Sequence, residues 1–258
     1  MIRAFITITM LMAGHTLAAD ERPDTLFQYS TINALLNQLY DGDMTFEALL
    51  FYGDTGLGTV NGLDGEMIAL DGVFYHARAD GRVYQLARRR QTPFAVVKFF
   101  AADHTAPLPP ALDYQALQDH LTELIENANL FQAFRIDGLF KSITMRTESK
   151  QSKPYRPLAD IMKEEITFSY EDVEGTLIGF YVPTYMKGLN ILGYHFHFIS
   201  CDRTRGGHVL AVVTGEGTIA IDQTAAFRMV LPEVEGFADL DLSGDRELIL
   251  QQIESANE

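Results

Sequence analysis

With 258 residues, 47% of them apolar and 11% aromatic, the chain can bury one large core or two small ones, which argues against intrinsic disorder. Its 20 basic residues against 35 acidic ones leave a net charge of −15, which argues against nucleic acid or an anionic membrane surface as partner. The same charge means that an anionic substrate needs a local cation, and the single cysteine, Cys201, excludes an internal disulfide.

The chain starts with Met1-Ile2-Arg3, an apolar run over residues 4–13, and small residues at Thr16-Leu17-Ala18-Ala19. This is the three-part pattern of a secretory leader, too short for the ~20 residues that a membrane span needs. Removal of residues 1–19 would delete Arg3 and take the net charge from −15 to −16. The expectation is an exported protein, periplasmic or secreted, with no membrane contact after processing.

Ser30 or Thr31 can cap a helix carrying Ile32, Leu35, Leu36 and Leu39 on one face, ended by Asp41-Gly42-Asp43. A second short amphipathic piece, Thr45 to Leu50, leads into a Gly-rich run from Gly53 to Gly65. Residues 67–70, 73–77 and 83–86 read as consecutive hairpins turned at Asp71-Gly72 and Asp80-Gly81, dipeptides suited to positive φ. Phe94 to Phe100 reads as a buried strand, Pro107, Pro109 and Pro110 as a connection, and Asp113 as the cap of a helix carrying Leu117, Leu121, Leu124, Ile125 and Ala128. Phe131 to Ile143 reads as two strands around an Asp137-Gly138 turn, followed by a polar linker at 147–157 and a short helix from Leu158 to Glu165. Strands then cover 166–170, 174–182, 191–200, 208–214 and 217–223. The pattern is α+β in the first half and antiparallel β in the second, dividing near residues 150–160.

The sharpest chemical feature is Gly193-Tyr194-His195-Phe196-His197-Phe198, followed by a Gly-rich turn and His208. Side chains alternate along a strand, so His195 and His197 share one face while the aromatic residues enter an apolar layer on the other. A return through residues 202–207 places His208 beside the pair. Three imidazoles are the donor set of a metal with an open coordination position, Zn²⁺ first and Fe, Mn, Co or Ni as alternatives. His76, His104 and His120 lack ligand spacing and are expected to be partly exposed; Cys201 follows the strand but is turned out of register.

From about Leu26 to the C-terminus the chain resembles the acetolactate decarboxylases. The resemblance is carried by Phe27-Gln28-Tyr29-Ser30, Asp41-Gly42, Gly58-Thr59, Gly62-Leu63-Asp64-Gly65-Glu66-Met67, Asp71-Gly72, Phe134, Gly138, Arg146-Thr147 and Gly193 to Phe198. It implies a mixed-sheet N-terminal domain with helices over 20–155, joined to an antiparallel β-barrel over 156–258 that carries the metal site and a C-terminal tail. It also implies Zn²⁺ held by His195, His197 and His208, and decarboxylation of 2-acetolactate to acetoin and CO₂ with the metal as Lewis acid. The residues carried over are Arg146, binding the substrate carboxylate and placed for proton transfer, Thr59 beside the substrate, and Glu66 and Glu254 near the metal. After Arg146-Thr147 the text Glu148-Ser149-Lys150 departs from the family pattern. The expected partner is a small-molecule substrate, and a homodimer is compatible with it. Two other readings keep the three histidines: an Fe(II) oxygenase, marked by stoichiometric iron and oxygen uptake, and an exported module that binds a metal or hydroxy acid without turnover.

Overall fold

The computed structural model describes residues 23–254, so the leader read at residues 1–19 lies outside the described residues. Among the described residues the chain forms fourteen strands and five α-helices. They begin with β1 (Thr25–Tyr29), α1 (Ile32–Leu36), β2 (Met44–Thr45), α2 (Phe46–Leu49), β3 (Thr55–Thr59), β4 (Glu66–Leu70) and β5 (Val73–Ala77). Next come β6 (Val83–Gln85), β7 (Gln91–Thr92), β8 (Ala95–Lys98), β9 (His104–Leu108), α3 (Tyr114–Leu124) and β10 (Phe131–Thr147). The last are α4 (Leu158–Met162), β11 (Ile166–Val182), β12 (Gly193–Ser200), β13 (Gly206–Thr224), β14 (Ala226–Val230) and α5 (Glu247–Glu254). None of the described helices is long and apolar enough to cross a membrane.

The fold is mostly β with few helices. A seven-stranded sheet runs β14-β1-β8-β3-β4-β5-β6, mixed because β1 and β14 are parallel while the other neighbours are antiparallel. A five-stranded antiparallel sheet runs β10-β11-β12-β13-β9, and β10 also pairs with β13, so that these pairings return to their starting strand. β9 and β10 precede residue 155 yet belong to the second sheet, and β14 follows it yet belongs to the first. The two sheets therefore do not divide at one point of the sequence.

Local signals place several elements where they are expected. Thr31, Thr45 and Asp113 cap α1, α2 and α3, accepting from the N–H groups of Ala34, Ala48 and Ala116. Both Asp-Gly hairpins form, with Asp71 and Gly72 at φ 52° and 77°. The helix expected to reach Leu39 stops at Leu36, because Gln38 turns the chain at φ 68°.

Other expectations are overturned, and close backbone approach is the recurring reason. The Gly-rich run contains β3, a central strand; a Cβ at Gly56 would lie 2.1 Å from the Val96 carbonyl oxygen of β8. Asp137-Gly138 is not a turn, since β10 runs unbroken for 17 residues. Gly138 instead sits between Gly175 of β11 and Gly217 of β13, three glycines in a row where the strands bend and the register shifts. β11 and β13 are likewise single strands where two each were expected. The Pro-rich connection includes β9, an edge strand that tolerates Pro107 because it pairs on one side alone. Residues 147–157 are not a free linker: Thr147 and Glu148 are buried, Gln151 N–H donates to Gly62 (2.7 Å), and Tyr155 Oη donates to Asp41 (3.0 Å).

Strand alternation joins the two sheets. On β4, Met67 and Ala69 pack with Phe46 and Leu49 of α2, while Ile68 and Leu70 face Ile178 of β11 and Ile199 of β12. A larger apolar cluster combines β1, β8, α1, α4 and α5 with residues from β10 and β11. Burying these shared faces holds β4 against β12, the contact on which the site is built.

Candidate metal centre

On β12, Tyr194 and Phe196 pack against Phe134, and Phe198 against Phe140, inside the second sheet. His195 and His197 therefore point to the opposite face, toward β4. The return to β13 is fastened by Asp202, whose carboxylate accepts from Ser200 Oγ (2.6 Å), Thr204 N (3.0 Å) and Thr204 Oγ1 (2.8 Å). These donors, Ser200 foremost, hold the Asp202 carboxyl down at about 2. A depressed acid contributes stability above its unfolded value of 3.8 that is lost as pH falls through about 2. Asp202→Ala is expected to lower the thermal midpoint at pH 7 modestly, with the deficit shrinking as pH falls from 4 to 2, as thermal scans across that range would show.

The return places His208 directly opposite His197 on one side and Arg146 of β10 on the other. His195, His197 and His208 are all buried, and one ligand atom from each lies within 4.8 Å of the others. His195 Nε2 is 3.0 Å from His208 Nδ1. His197 Nδ1 is 2.9 Å from the Met67 carbonyl oxygen, so a proton on Nδ1 leaves Nε2 free to donate its lone pair. Burial pushes all three imidazoles below their ordinary range, His197 to about 3, against the opposing hydrogen bond to Met67. They are neutral at neutral pH, which is the form that ligates a metal. Three converging neutral donors, with no fourth imidazole or thiolate among the described residues, fit a metal ion with an open position. Cys201 is exposed and outside this group.

The acids arrive from three directions. Glu66 opens β4 opposite Thr59 of β3, and its Oε2 lies 3.5 Å from His197 Nε2. Thr59 Oγ1 donates to the Gly65 carbonyl (2.7 Å), and position 65 requires glycine both for its φ of 72° and because a Cβ would meet the Ala77 carbonyl oxygen at 2.2 Å. α5 brings Glu254 Oε2 to 3.6 Å from His208 Nε2 and 3.9 Å from His195 Nε2. It is seated by Leu250 and Ile253 in the apolar cluster. Burial pushes Glu254 up to about 7 against the pull of Arg146, and burial also raises Glu66 and Glu148, which line the same pocket.

Arg146 is buried and surrounded by acids: Glu148 at 3.9 Å from Nε, Glu165 at 3.4 Å from Nη1 and Glu254 at 3.6 Å from Nη2. Its Nη1 also donates to the Ile253 carbonyl. Burial works against the cation, but Glu254, Glu148, Glu66 and Glu165 outweigh it and hold Arg146 charged. All seven residues singled out in the sequence, Thr59, Glu66, Arg146, His195, His197, His208 and Glu254, line one pocket. Apolar side chains including Leu63, Phe94, Leu158, Met162 and Ile191 complete it.

Two acids beside Arg146, Glu148 and Glu165, were not among the site residues expected from the sequence. Glu148 had a usable signal, since residues two apart on a strand share a face. Glu165 had none, because it reaches Arg146 through the pairing of Arg146 with Thr167. His76, expected to be partly exposed, is buried on β5 with its ring nitrogen on the Asp64 carbonyl, where burial lowers its pKa. That contact secures the turn leading to Glu66. His104 is exposed and His120 half-buried.

A model of the alpha-acetolactate decarboxylase family matches residues 26–244. The chain belongs to that family. It is an enzyme of the decarboxylase class, like its relatives. The alpha-acetolactate decarboxylase of Methanosarcina mazei is 42% identical over 231 residues, spanning 90% of this chain and 80% of the relative. That of Methylococcus capsulatus is 40% identical over 230 residues, spanning 89% and 88%. The crystal structure of alpha-acetolactate decarboxylase from Bacillus subtilis strain 168 superposes with a TM-score of 0.87 at 35% identity, covering 90% of this chain and 100% of that one.

Proposed function

We propose that this protein is a zinc-dependent decarboxylase that converts 2-acetolactate to acetoin and CO₂, exported to the periplasm or the medium. The observation that carries the reading is the meeting of three buried, neutral imidazoles with a buried arginine in one pocket. The family membership supports the substrate. Residues 1–19 support the export. The ring of pairings through β10, β11, β12 and β13 supports a barrel-like carrier for the site.

Loss of CO₂ breaks one carbon–carbon bond, leaves its electron pair beside the ketone and takes up one proton. Zn²⁺ held by His195, His197 and His208 would supply the Lewis acidity that stabilises this charge. Arg146 provides the cation that a carboxylate needs inside a chain of net charge −15, and its planar fork suits two-point binding. Because its acidic neighbours hold it charged, Arg146 anchors the substrate rather than acting as an acid. Glu66 and Thr59 face the pocket from the first sheet and orient the hydroxyl and ketone end. Glu254, 3.6 Å from Arg146, is placed to pass a proton to the carbon framework. The apolar lining excludes water from the developing charge.

The test is reversible metal removal. Dialysis against a chelator is expected to abolish CO₂ release, and one equivalent of Zn²⁺ per chain to restore it. Full turnover by the metal-free protein would contradict the reading; stoichiometric iron with oxygen uptake would support the oxygenase, and ligand binding without CO₂ release the non-catalytic module. Glu254→Gln is the milder probe of α5, since it leaves Ile253 in the core. It is expected to lower kcat by about 100-fold, the lower end of the range for general acid–base groups, with little change in thermal midpoint. Wild-type kcat in that variant would remove Glu254 from the chemistry.

A further inference from the structure

We propose that Glu148 is a positioning residue for the decarboxylation, tying the Glu66 carboxyl beside the imidazoles to the Arg146 guanidinium across the pocket; this rests on the decarboxylase reading. Glu148 follows β10 directly, and strand alternation turns it to the same side as Arg146, with Thr147 opposite. It is 5% exposed and lines the pocket. Its Oε1 is 3.9 Å from Arg146 Nε, a buried N–H with no hydrogen-bond partner among the described residues, while Glu165 and Glu254 face the two terminal nitrogens. On its other side Glu148 shares the pocket wall with Glu66, on which its charge bears and whose Oε2 lies 3.5 Å from His197 Nε2. A path thus runs from His197 on the second sheet, through Glu66 on the first, and by way of Glu148 back to Arg146 on the second.

Energetics favour a functional reason for this path. Four acids around one guanidinium is a costly arrangement to bury, and an apolar side chain at position 148 would pack the site at lower cost. What an apolar residue cannot do is hold the Nε edge of Arg146, so that its outer fork stays aimed at a carboxylate, while fixing the rotamer of Glu66. Removing Glu148 frees both groups together. The expected signature is a change in KM as well as kcat, because Arg146 governs binding and Glu66 the chemistry.

The experiment compares Glu148→Ala and Glu148→Gln in the zinc-loaded enzyme, with zinc content and thermal midpoint measured alongside. Glu148→Ala is expected to lower kcat about tenfold and raise KM about tenfold, with wild-type zinc content, as for partners that orient a metal-site group. It is also expected to weaken calorimetric binding of the unreactive 2-hydroxyisobutyrate. Glu148→Gln, whose amide can bond both neighbours, should recover most of both parameters. Wild-type KM and 2-hydroxyisobutyrate affinity in Glu148→Ala would overturn the proposal, since a smaller folded fraction lowers kcat alone. If Glu148→Ala does not fold, Glu148→Asp serves instead: it keeps the charge but withdraws it by one methylene, and a wild-type KM there overturns the proposal equally. A wild-type enzyme that releases no CO₂ would sink the decarboxylase reading itself, so the two failures are distinct.

Discussion

Replacing His197 with alanine is expected to eliminate stoichiometric zinc and to lower kcat/KM for CO₂ release by at least about 1,000-fold. Lewis-acid stabilisation is worth several kcal/mol, and each 1.36 kcal/mol is a factor of about ten. Among the three imidazoles, His197 is the one whose second nitrogen faces the Met67 carbonyl, so its loss removes both a donor and the bond that orients it. The stability cost is expected to be smaller, about 1–3 kcal/mol for leaving a buried carbonyl without its partner. Zinc per chain by elemental analysis and the initial rate of CO₂ release at substrate concentrations well below KM are the measurements. A variant that kept its zinc and its rate would show that the three histidines are not the chemical centre.

Arg146→Ala carries the second large effect, and it acts on stability as well as catalysis. Loss of the substrate's cation is expected to lower kcat/KM by at least about 100-fold, with Arg146→Lys recovering part of it because charge returns without the fork. Glu148, Glu165 and Glu254 would meanwhile lose the buried cation they share, and breaking such a set costs about 3–5 kcal/mol. The sign of the pH dependence follows. Glu66, Glu148 and Glu254 have folded pKa values raised by burial and lowered by Arg146, so removing the arginine raises them further. A raised acid contributes stability below its unfolded value of 4.5 that is lost as pH rises through the folded value, about 7 for Glu254 in the wild type. Arg146 also lowers the three imidazoles, and relieving that shift favours the variant in acid as well. The stability gap between wild type and Arg146→Ala is therefore expected to be widest near pH 8 and to narrow toward pH 5. Denaturant midpoints across that range would test it; a gap that widened in acid would contradict this account of the acid cluster.

The two variants probe different layers of the same pocket. His197 belongs to a strand pair that is local in sequence, with 11 positions separating it from His208. Arg146 depends on β10, β11 and α5 arriving together, so its substitution reports on the assembly of distant elements.

Within elements, the sequence determined a good deal. The alternation Tyr194-His195-Phe196-His197-Phe198 specified which side chains enter the aromatic core and which face the three-histidine site, since strand geometry admits one sorting. The caps at Thr31 and Asp113 and the Asp71-Gly72 turn were legible for the same reason: each is decided by bonds and φ angles among a few adjacent residues. Glu66, Thr59, Arg146 and Glu254 were reached through motif resemblance, because nothing in their neighbours along the chain distinguishes them from solvated side chains. Tertiary structure decided whether Gly138 is a turn or the middle of a long strand, that His76 is buried, and that Glu148 and Glu165 close around Arg146. Each of these depends on what another strand places opposite the residue. A glycine permits a turn and a close strand approach equally well, and an acid is equally at home in water or beside a buried guanidinium. For Gly138 the partners that settle the choice, Gly175 and Gly217, lie dozens of residues away in the chain.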